Sequence, residues 1–394
     1  MTAAFNANLA RVFPPPVMEA RRWLAETKLP EGKALLNVSQ AAPVDPPPEG
    51  MRQAMAEAVL AAPETHLYGP VLGDSALRDA LAVRTAAIYA GSVSVPDVAV
   101  TLGCNQAFCA AVATLCAPGD AVLVPVPWYF NHKMWLDMAG VEARPIPCGP
   151  DMLPDPEAAA AAMTPEVKAV LLITPNNPCG VEYPADLVDA FFDLAAQSGA
   201  ALIVDETYRD FHSGQGAPHR LFQRTDWRET LVHLYSFSKV YRLTGHRVGA
   251  MIAGPERLAQ AEKFLDTVTI CPSQVGQVGA LWGLRHLDQW VAAERAEVLA
   301  RRAALQAAFA KDLPDWRVTG AGAYFAWVEA PFDRPAADLA LRLLADQAVL
   351  ALPGTMFTPD TGDWGGGRAL RIAFANSDAD GIADLAQRLA AFRP

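Results

Sequence analysis

The stretch LYSFSKVYRLTGHRVGAM, residues 234–251, decides how this chain is read. An apolar run ends in Ser236, Ser238 and Lys239, and Arg247 follows eight positions after the lysine (247 − 239), opening a second apolar run, RVGAMIAG. A lysine set at the end of a buried strand and near another cation has a disfavoured charged form, so its amine becomes a plausible neutral nucleophile. What the amine is for depends on the residues at the ends of the neighbouring strands.

Outward from this stretch the pattern is regular. Short runs rich in Val, Ile and Leu (DVAVTLG 97–103, DAVLVPVP 120–127, VEARPIP 141–147, KAVLLITP 168–175, GAALIVDE 199–206, TLVHLYSFS 230–238 and RVGAMIAG 247–254) alternate with helix-periodic segments. The helical candidates include Gln106–Cys116, Asn131–Ala139, Pro156–Met163, Ala185–Gln197 and Pro255–Val268. Runs apolar on both faces and separated by helices predict an α/β fold with a mainly parallel seven-stranded sheet sandwiched by helices. Ligands of such sheets bind beyond the carboxyl ends of the strands.

After about residue 290 the character changes to a long Ala/Arg/Leu/Glu helix followed by short strands (WRVTG, AYFAWVEA, AVLALPG, ALRIAFA). The expected organisation is a Pro-rich, irregular segment 1–45 packing on a small domain, a large domain 46–290, and the small α+β domain 291–394.

Composition narrows the functional classes. The chain has 394 residues, 52% hydrophobic and 19% charged, enough apolar material for a large core. A net charge of −11 argues against nucleic acid or an anionic membrane as partner. Six cysteines form no CxxC pair and seven histidines form no metal-binding spacing, so no metal is expected. No secretory signal and no bilayer-length apolar run is seen, making a cytoplasmic protein the default expectation.

The strand ends carry the chemistry. After VAVTL comes GCNQA (Gly103, Cys104, Asn105), a glycine turn opening a helix whose free N–H groups favour an anion. After KAVLLIT comes PNNPCG with Asn177, and after ALIVD come Asp205 and, three positions on, Tyr208. Ser236, Ser238, Arg247 and the helix start after Gly103 suit one phosphate. Asp205 suits a protonated ring nitrogen, and Tyr208 and Asn177 a ring hydroxyl. One small molecule requires all of these together with a lysine amine: pyridoxal 5'-phosphate, held as a Schiff base on Lys239.

These motifs resemble the class I/II aminotransferases, the pyridoxal-phosphate enzymes of the aspartate aminotransferase fold (fold type I). The resemblance rests on YGPVLGDSALRDAL, TLGCNQA, PNNPCG, VDETYRDF, SFSKVYRLTGHRVG, LPGTMF and LRIAFA, met in the family's order. It implies that Lys239 is the Schiff-base lysine and proton shuttle, that Asp205 pairs with the pyridine nitrogen, and that Tyr208 and Asn177 contact the ring oxygen. Ser236 and Arg247 would hold the phosphate with Cys104 and Asn105. Tyr68 of HLYGP would reach the neighbouring subunit's phosphate, which implies a homodimer with shared sites. Tyr129 would stack on the pyridine ring, with Trp128 the competing assignment, and Arg371 would bind the substrate α-carboxylate with Asn177 assisting. His132 reads either as a donor behind Asp205 or as a structural histidine.

Two departures bear on substrate: Ala41 stands in SQAAP where the family commonly has Gly, narrowing the substrate site, and Thr358 follows Phe357. The implied activity is amino-group transfer between an L-amino acid and a 2-oxo acid in ping-pong half-reactions. A lyase or synthase on the same scaffold, of β-elimination or cyclopropane-forming type, is the alternative. A ligand-sensing transcription regulator is disfavoured, since no basic helix-turn-helix pattern precedes the first motif. The aromatics Phe13, Trp128, Tyr129 and Tyr324, read as pocket residues, lean toward neutral, apolar or aromatic amino acids, with Phe13 and Tyr324 reading equally well as core.

Overall fold

A computed structural model describes residues 3–394. Thirteen strands occur among them. Leu36–Asn37 (β1) comes first, then Val98–Thr101 (β2), Ala121–Val126 (β3), Glu142–Pro147 (β4), Val167–Ile173 (β5), Ala201–Asp205 (β6), Leu231–Ser236 (β7) and Gly249–Ala253 (β8). The remaining strands are Arg317–Gly322 (β9), Phe325–Glu329 (β10), Val349–Leu350 (β11), Leu352–Pro353 (β12) and Ala369–Ile372 (β13).

β2 to β8 form one seven-stranded sheet in the order β2-β8-β7-β6-β5-β3-β4, matching the seven apolar runs. Only β8 runs against its neighbours. That reversal matters for the site. It brings the start of β8, preceded by Arg247, to the edge where β2, β5, β6 and β7 end.

Alternate residues of each strand feed opposite cores, as the two-residue pleat requires. Leu202 and Val204 of β6 join one apolar cluster, whereas Ala201 and Ile203 join the other. The helices Cys104–Leu115, Phe130–Ala139, Ala185–Gln197 and Pro255–Thr269 lie within two residues of the expected bounds at each end. Cys104–Leu115 contributes Ala107, Phe108 and Ala111 to one cluster, while Ala185–Gln197 contributes Val188, Phe191 and Phe192 to the other.

A second sheet, β12-β13-β10-β9, is antiparallel throughout. It builds a separate core with the 25-residue helix Asp288–Asp312 and the helix Ala379–Ala391. The first residues are more regular than their prolines suggest. They hold helices at Ala7–Arg11 and Pro16–Glu26, the second with a proline at its first position, where a missing N–H costs nothing. β1 pairs in parallel with β11, and the helix Ala7–Arg11 packs beside Phe130–Ala139. No helix among the described residues is long and apolar enough to cross a membrane, and no cluster of metal-ligating side chains occurs among them.

Candidate active site

The carboxyl ends of β5, β6 and β7, the start of β8 and the helix start at Cys104 surround a cavity of about 330 Å³. Ala41, Cys104, Asn105, Tyr129, Asn177, Asp205, Tyr208, Ser236, Ser238, Lys239, Arg247 and Arg371 all line it. The motif residues are thus gathered from positions as distant in sequence as 41 and 371.

Lys239 sits in a single helical turn, Phe237–Val240, capped by the Ser236 side chain accepting from Ser238 N–H at 3.2 Å. Its Nζ donates to the Ala41 carbonyl at 2.5 Å and meets no carboxylate among the described residues. Burial, then Arg247 and Arg371, lower its pKa to about 8. The amine is therefore substantially neutral in mildly alkaline solution, as its place in the sequence suggested.

Arg247 lies against the bare start of the helix Cys104–Leu115. Its Nη2 donates to the Leu102 carbonyl at 3.2 Å, and Nη1 to Thr244 O at 3.0 Å and Ser238 Oγ at 3.4 Å. Gly103 caps this helix with φ +82°, and a Cβ there would fall 2.4 Å from Arg247 Nη2. A Cβ on Gly249 would fall 2.8 Å from the Cys104 nitrogen. Both glycines keep the helix N–H groups and the guanidinium together around one small volume, a site suited to an anion.

Asp205 closes β6 and is 4% exposed. Its Oδ1 accepts from Thr207 N–H at 2.9 Å, and its Oδ2 lies 3.3 Å from His132 Nε2. Burial alone would raise its pKa, but the His132 ring and the Thr207 donors outweigh it and hold the carboxyl below its ordinary value. It is a buried, ionised carboxylate facing the cavity. His132 is buried behind Asp205, its ring tilted against Phe108 with centroids 4.0 Å apart. Tyr208 follows on the turn, buried, its pKa raised well above normal by that burial. Behind the turn Glu206 is fully buried, with His233 Nε2 at 2.6 Å, His219 Nε2 at 3.4 Å and the Tyr89 hydroxyl donating to it.

Arg371, on β13, is 2% exposed. Nη1 donates to Asn177 Oδ1 at 3.0 Å and Nη2 to Ser39 O at 2.5 Å, while Nε is unpartnered. The rings of Phe325 and Phe357 lie 4.8 Å from its guanidinium carbon. Burial lowers its pKa to about 10. No carboxylate among the described residues pairs with it. Asn176, by contrast, turns away from the cavity and braces its own loop, accepting from Cys179 N–H at 2.9 Å.

Some expectations need correction. Tyr129 lines the cavity; Trp128 does not and is packed in the sheet's core. Phe13 belongs to the core around Phe130 and Phe357, and Tyr324 packs behind Tyr208, so neither is a pocket aromatic. Tyr68, expected at a neighbouring subunit's site, is 81% exposed and lies outside this chain's own cavity, and Gly103 caps the helix that opens at Cys104 without itself lining the cavity. Thr358 is buried but does not line the cavity. Missed altogether were Pro15, Val17, Gln40, Phe130, Asn131, Ile173, Thr207 and Phe325. Thr207 stood inside a quoted motif and was within reach; Pro15 and Val17 belong to no motif.

A family model described as aminotransferase class I and II matches residues 33–389. The chain belongs to that family. Among curated relatives, an aromatic aminotransferase of Arabidopsis thaliana is 30% identical over 298 residues, covering 73% of each chain. A valine–pyruvate aminotransferase of Mycobacterium tuberculosis is 28% identical over 389 residues, covering 96% of this chain and 97% of the relative. The solved structure of aspartate aminotransferase from Thermus thermophilus with maleate superposes with a TM-score of 0.88 over 99% of this chain and 100% of that one, at 23% identity, a likeness of fold. The protein is a pyridoxal-phosphate-dependent aminotransferase, transferring an amino group between an amino acid and a 2-oxo acid. Relatives named as aminotransferases do not favour the lyase or synthase alternative.

Proposed function

We propose that the cavity around Lys239 is the aminotransferase site, with its roles divided as the geometry suggests. The observation that carries the proposal is the pairing of an uncharged-leaning amine with a buried guanidinium that has no anion of its own, in one cavity. The residues fit the cofactor. Arg247, Ser236, Ser238 and the helix start at Cys104 and Asn105 would hold its phosphate, Asp205 its ring nitrogen, and Tyr208 and Asn177 its ring oxygen, with Tyr129 against the ring face. When bound, pyridoxal phosphate supplies an electron sink that makes the α-proton of an amino acid acidic.

The chain's own residues do the rest. Arg371 binds the α-carboxylate with two donors, and Asn177 fixes the guanidinium plane. A carboxylate there restores charge balance to a cation otherwise buried alone. Lys239 Nζ is the group placed to accept and give back the α-proton of the amino acid in ping-pong half-reactions, a role its lowered pKa serves near neutral pH. The cations lining the cavity are Lys239, Arg247 and Arg371, all engaged by these roles, while Pro15, Val17, Phe130 and Phe325 supply apolar wall. This supports amino donors with uncharged, largely apolar side chains, narrowed by the Ala41 methyl.

The working enzyme is a homodimer in this reading. Tyr68 and its neighbour Leu67 stand out from the surface, exposed apolar side chains suited to burial by a second copy whose phosphate site receives Tyr68. The division into segment 1–45, large domain 46–290 and small domain 291–394 is supported by the separate cores of the two sheets. Six free cysteines suit a reducing, cytoplasmic setting.

The test is a panel of amino acids added singly to cofactor-loaded protein. A lasting shift of the cofactor's visible absorbance without release of ammonia or a 2-oxo product of elimination is expected, largest for neutral apolar donors. Continuous ammonia release with an unchanged spectrum would sink the transfer reading, and a preference for aspartate or glutamate would sink the substrate class.

A further inference from the structure

Residues 39–45 form a strap that lines the cavity with Gln40 and Ala41 and then leaves it, and three of its carbonyls are held by side chains from distant parts of the chain. Ser39 O accepts from Arg371 at 2.5 Å, Gln40 O from Asn376 Nδ2, and Ala41 O from Lys239 Nζ at 2.5 Å. Two of these three bonds are given up during turnover on the roles proposed above. Lys239 is drawn into the chemistry, and Arg371 turns its donors to a substrate carboxylate.

At the far end of the strap lies a fourth anchor. Asp45 Oδ2 is 3.3 Å from Arg242 Nη1. Arg242 Nη2 lies 2.9 and 2.7 Å from the two carboxylate oxygens of Glu294, on the helix Asp288–Asp312. Its guanidinium carbon lies 5.3 Å from the Trp290 ring centroid. Arg242 follows Lys239 by three residues, and its own N–H donates to the Lys239 carbonyl at 3.3 Å. It does so with φ +57°, a left-handed conformation that non-glycine residues seldom adopt and that persists only where surrounding contacts fix it. No atom of Arg242 lines the cavity.

We propose that Arg242 is a positioning residue: its fork to Asp45 and Glu294 holds the 39–45 strap against the lysine turn while Lys239 and Arg371 change partners, and so keeps Ala41 at the substrate site. The inference rests on the roles of Lys239 and Arg371 given above. Because Arg242 acts on the wall of the substrate site and not on the reacting atoms, its loss raises KM and leaves kcat nearly alone.

The experiment compares Arg242→Gly, Arg242→Lys, Asp45→Asn and the double variant Asp45→Asn/Arg242→Gly in the cofactor-loaded protein. Glycine accepts the left-handed backbone, so Arg242→Gly removes the fork without straining the turn. Expected is a rise in KM for amino acid and 2-oxo acid alike of about tenfold for Arg242→Gly and about two- to threefold for Asp45→Asn, an exposed pair of small worth. Arg242→Lys keeps the charge but not the fork and falls between wild type and Arg242→Gly. The visible absorbance stays unchanged, and kcat stays within about twofold. The dissociation constant of an α-methyl amino acid, which binds but has no α-proton to lose, rises with KM. The double variant behaves as Arg242→Gly, since the two residues act through one contact.

A wild-type KM in Arg242→Gly, or an Asp45→Asn effect that adds in full to it, overturns the proposal. Should Arg242→Gly fail to fold, Asp45→Asn decides alone, because Asp45 is 64% exposed at its side chain and its replacement leaves the fold intact; an unchanged KM there overturns the proposal. Wild-type protein that takes up no cofactor would instead overturn the assignment of Lys239, and this inference with it.

Discussion

Arg371 and Asn177 are 194 positions apart in the chain and 3.0 Å apart in the fold, the guanidinium donating to the amide oxygen in a pocket that holds no counter-ion for it among the described residues. A buried cation left so is costly, and the cost falls when a carboxylate arrives. The arginine is thus fixed in direction before substrate binds, which limits the ordering that binding requires.

Arg371→Lys keeps the charge but loses the fork. We expect KM for amino acid and 2-oxo acid to rise together, with kcat/KM down about 10- to 100-fold, the worth of charge-assisted hydrogen bonds. Steady-state kinetics on both half-reactions checks this. A change confined to one substrate would contradict a site common to both carboxylates.

Lys239 titrates near 8 because burial, Arg247 and Arg371 all disfavour its charged form. In cofactor-free protein, capture of a small aldehyde, trapped by borohydride and read by mass spectrometry, should rise with pH and level off above about 8 as the amine loses its proton. Removing the positive charge in Arg371→Ala favours the protonated amine, so the inflection moves to higher pH. Lys239→Ala abolishes both capture and turnover.

Gly103→Ala would put a Cβ 2.4 Å from Arg247 Nη2 at a left-handed φ. We expect the guanidinium to be displaced from the helix start and the dissociation constant for inorganic phosphate in cofactor-free protein to rise about tenfold or more, the loss of one charge-assisted contact. Isothermal titration measures it, and unchanged phosphate binding would remove Arg247 from the anion site.

Glu206 is fully buried between His219, His233 and Tyr89. Burial would raise its pKa, but the two histidines dominate and hold it well below the ordinary carboxylate value. Its folded value being depressed, the stability it contributes is complete above the unfolded carboxylate range and is lost only as pH falls through the lower folded value. Glu206→Ala strands buried donors and should cost about 3–5 kcal/mol at neutral pH, the usual penalty for breaking a buried charged pair. A denaturant midpoint close to wild type would refute it.

Much of the site could be read directly from the chain because each group belongs to a local signal. Lys239, Asp205 and Asn177 follow apolar runs whose length marks them as strands, and strand ends in this architecture converge. Arg371 was legible only through its motif, since an arginine in a strand otherwise reads as a surface charge; the fold makes it a buried cation. Trp128 and Tyr129 could not be separated in sequence, because neighbours in a turn before a helix point in different directions that only packing selects. Phe13 and Tyr324 stayed open between pocket and core for a related reason: an aromatic side chain suits both, and the fold places them in the core.

The alternation of apolar runs and helices determined the layered sheet, and the order of turns after its strands determined which residues meet in one cavity, since both follow from short-range periodicity and chain direction. The tertiary structure alone decided that β8 runs backward to deliver Arg247, that Pro15 and Val17 wall the pocket, and that Arg242 grips both Asp45 and Glu294. Those contacts join distant segments through side-chain packing and charge pairing, and such partners leave no periodic trace in a linear sequence.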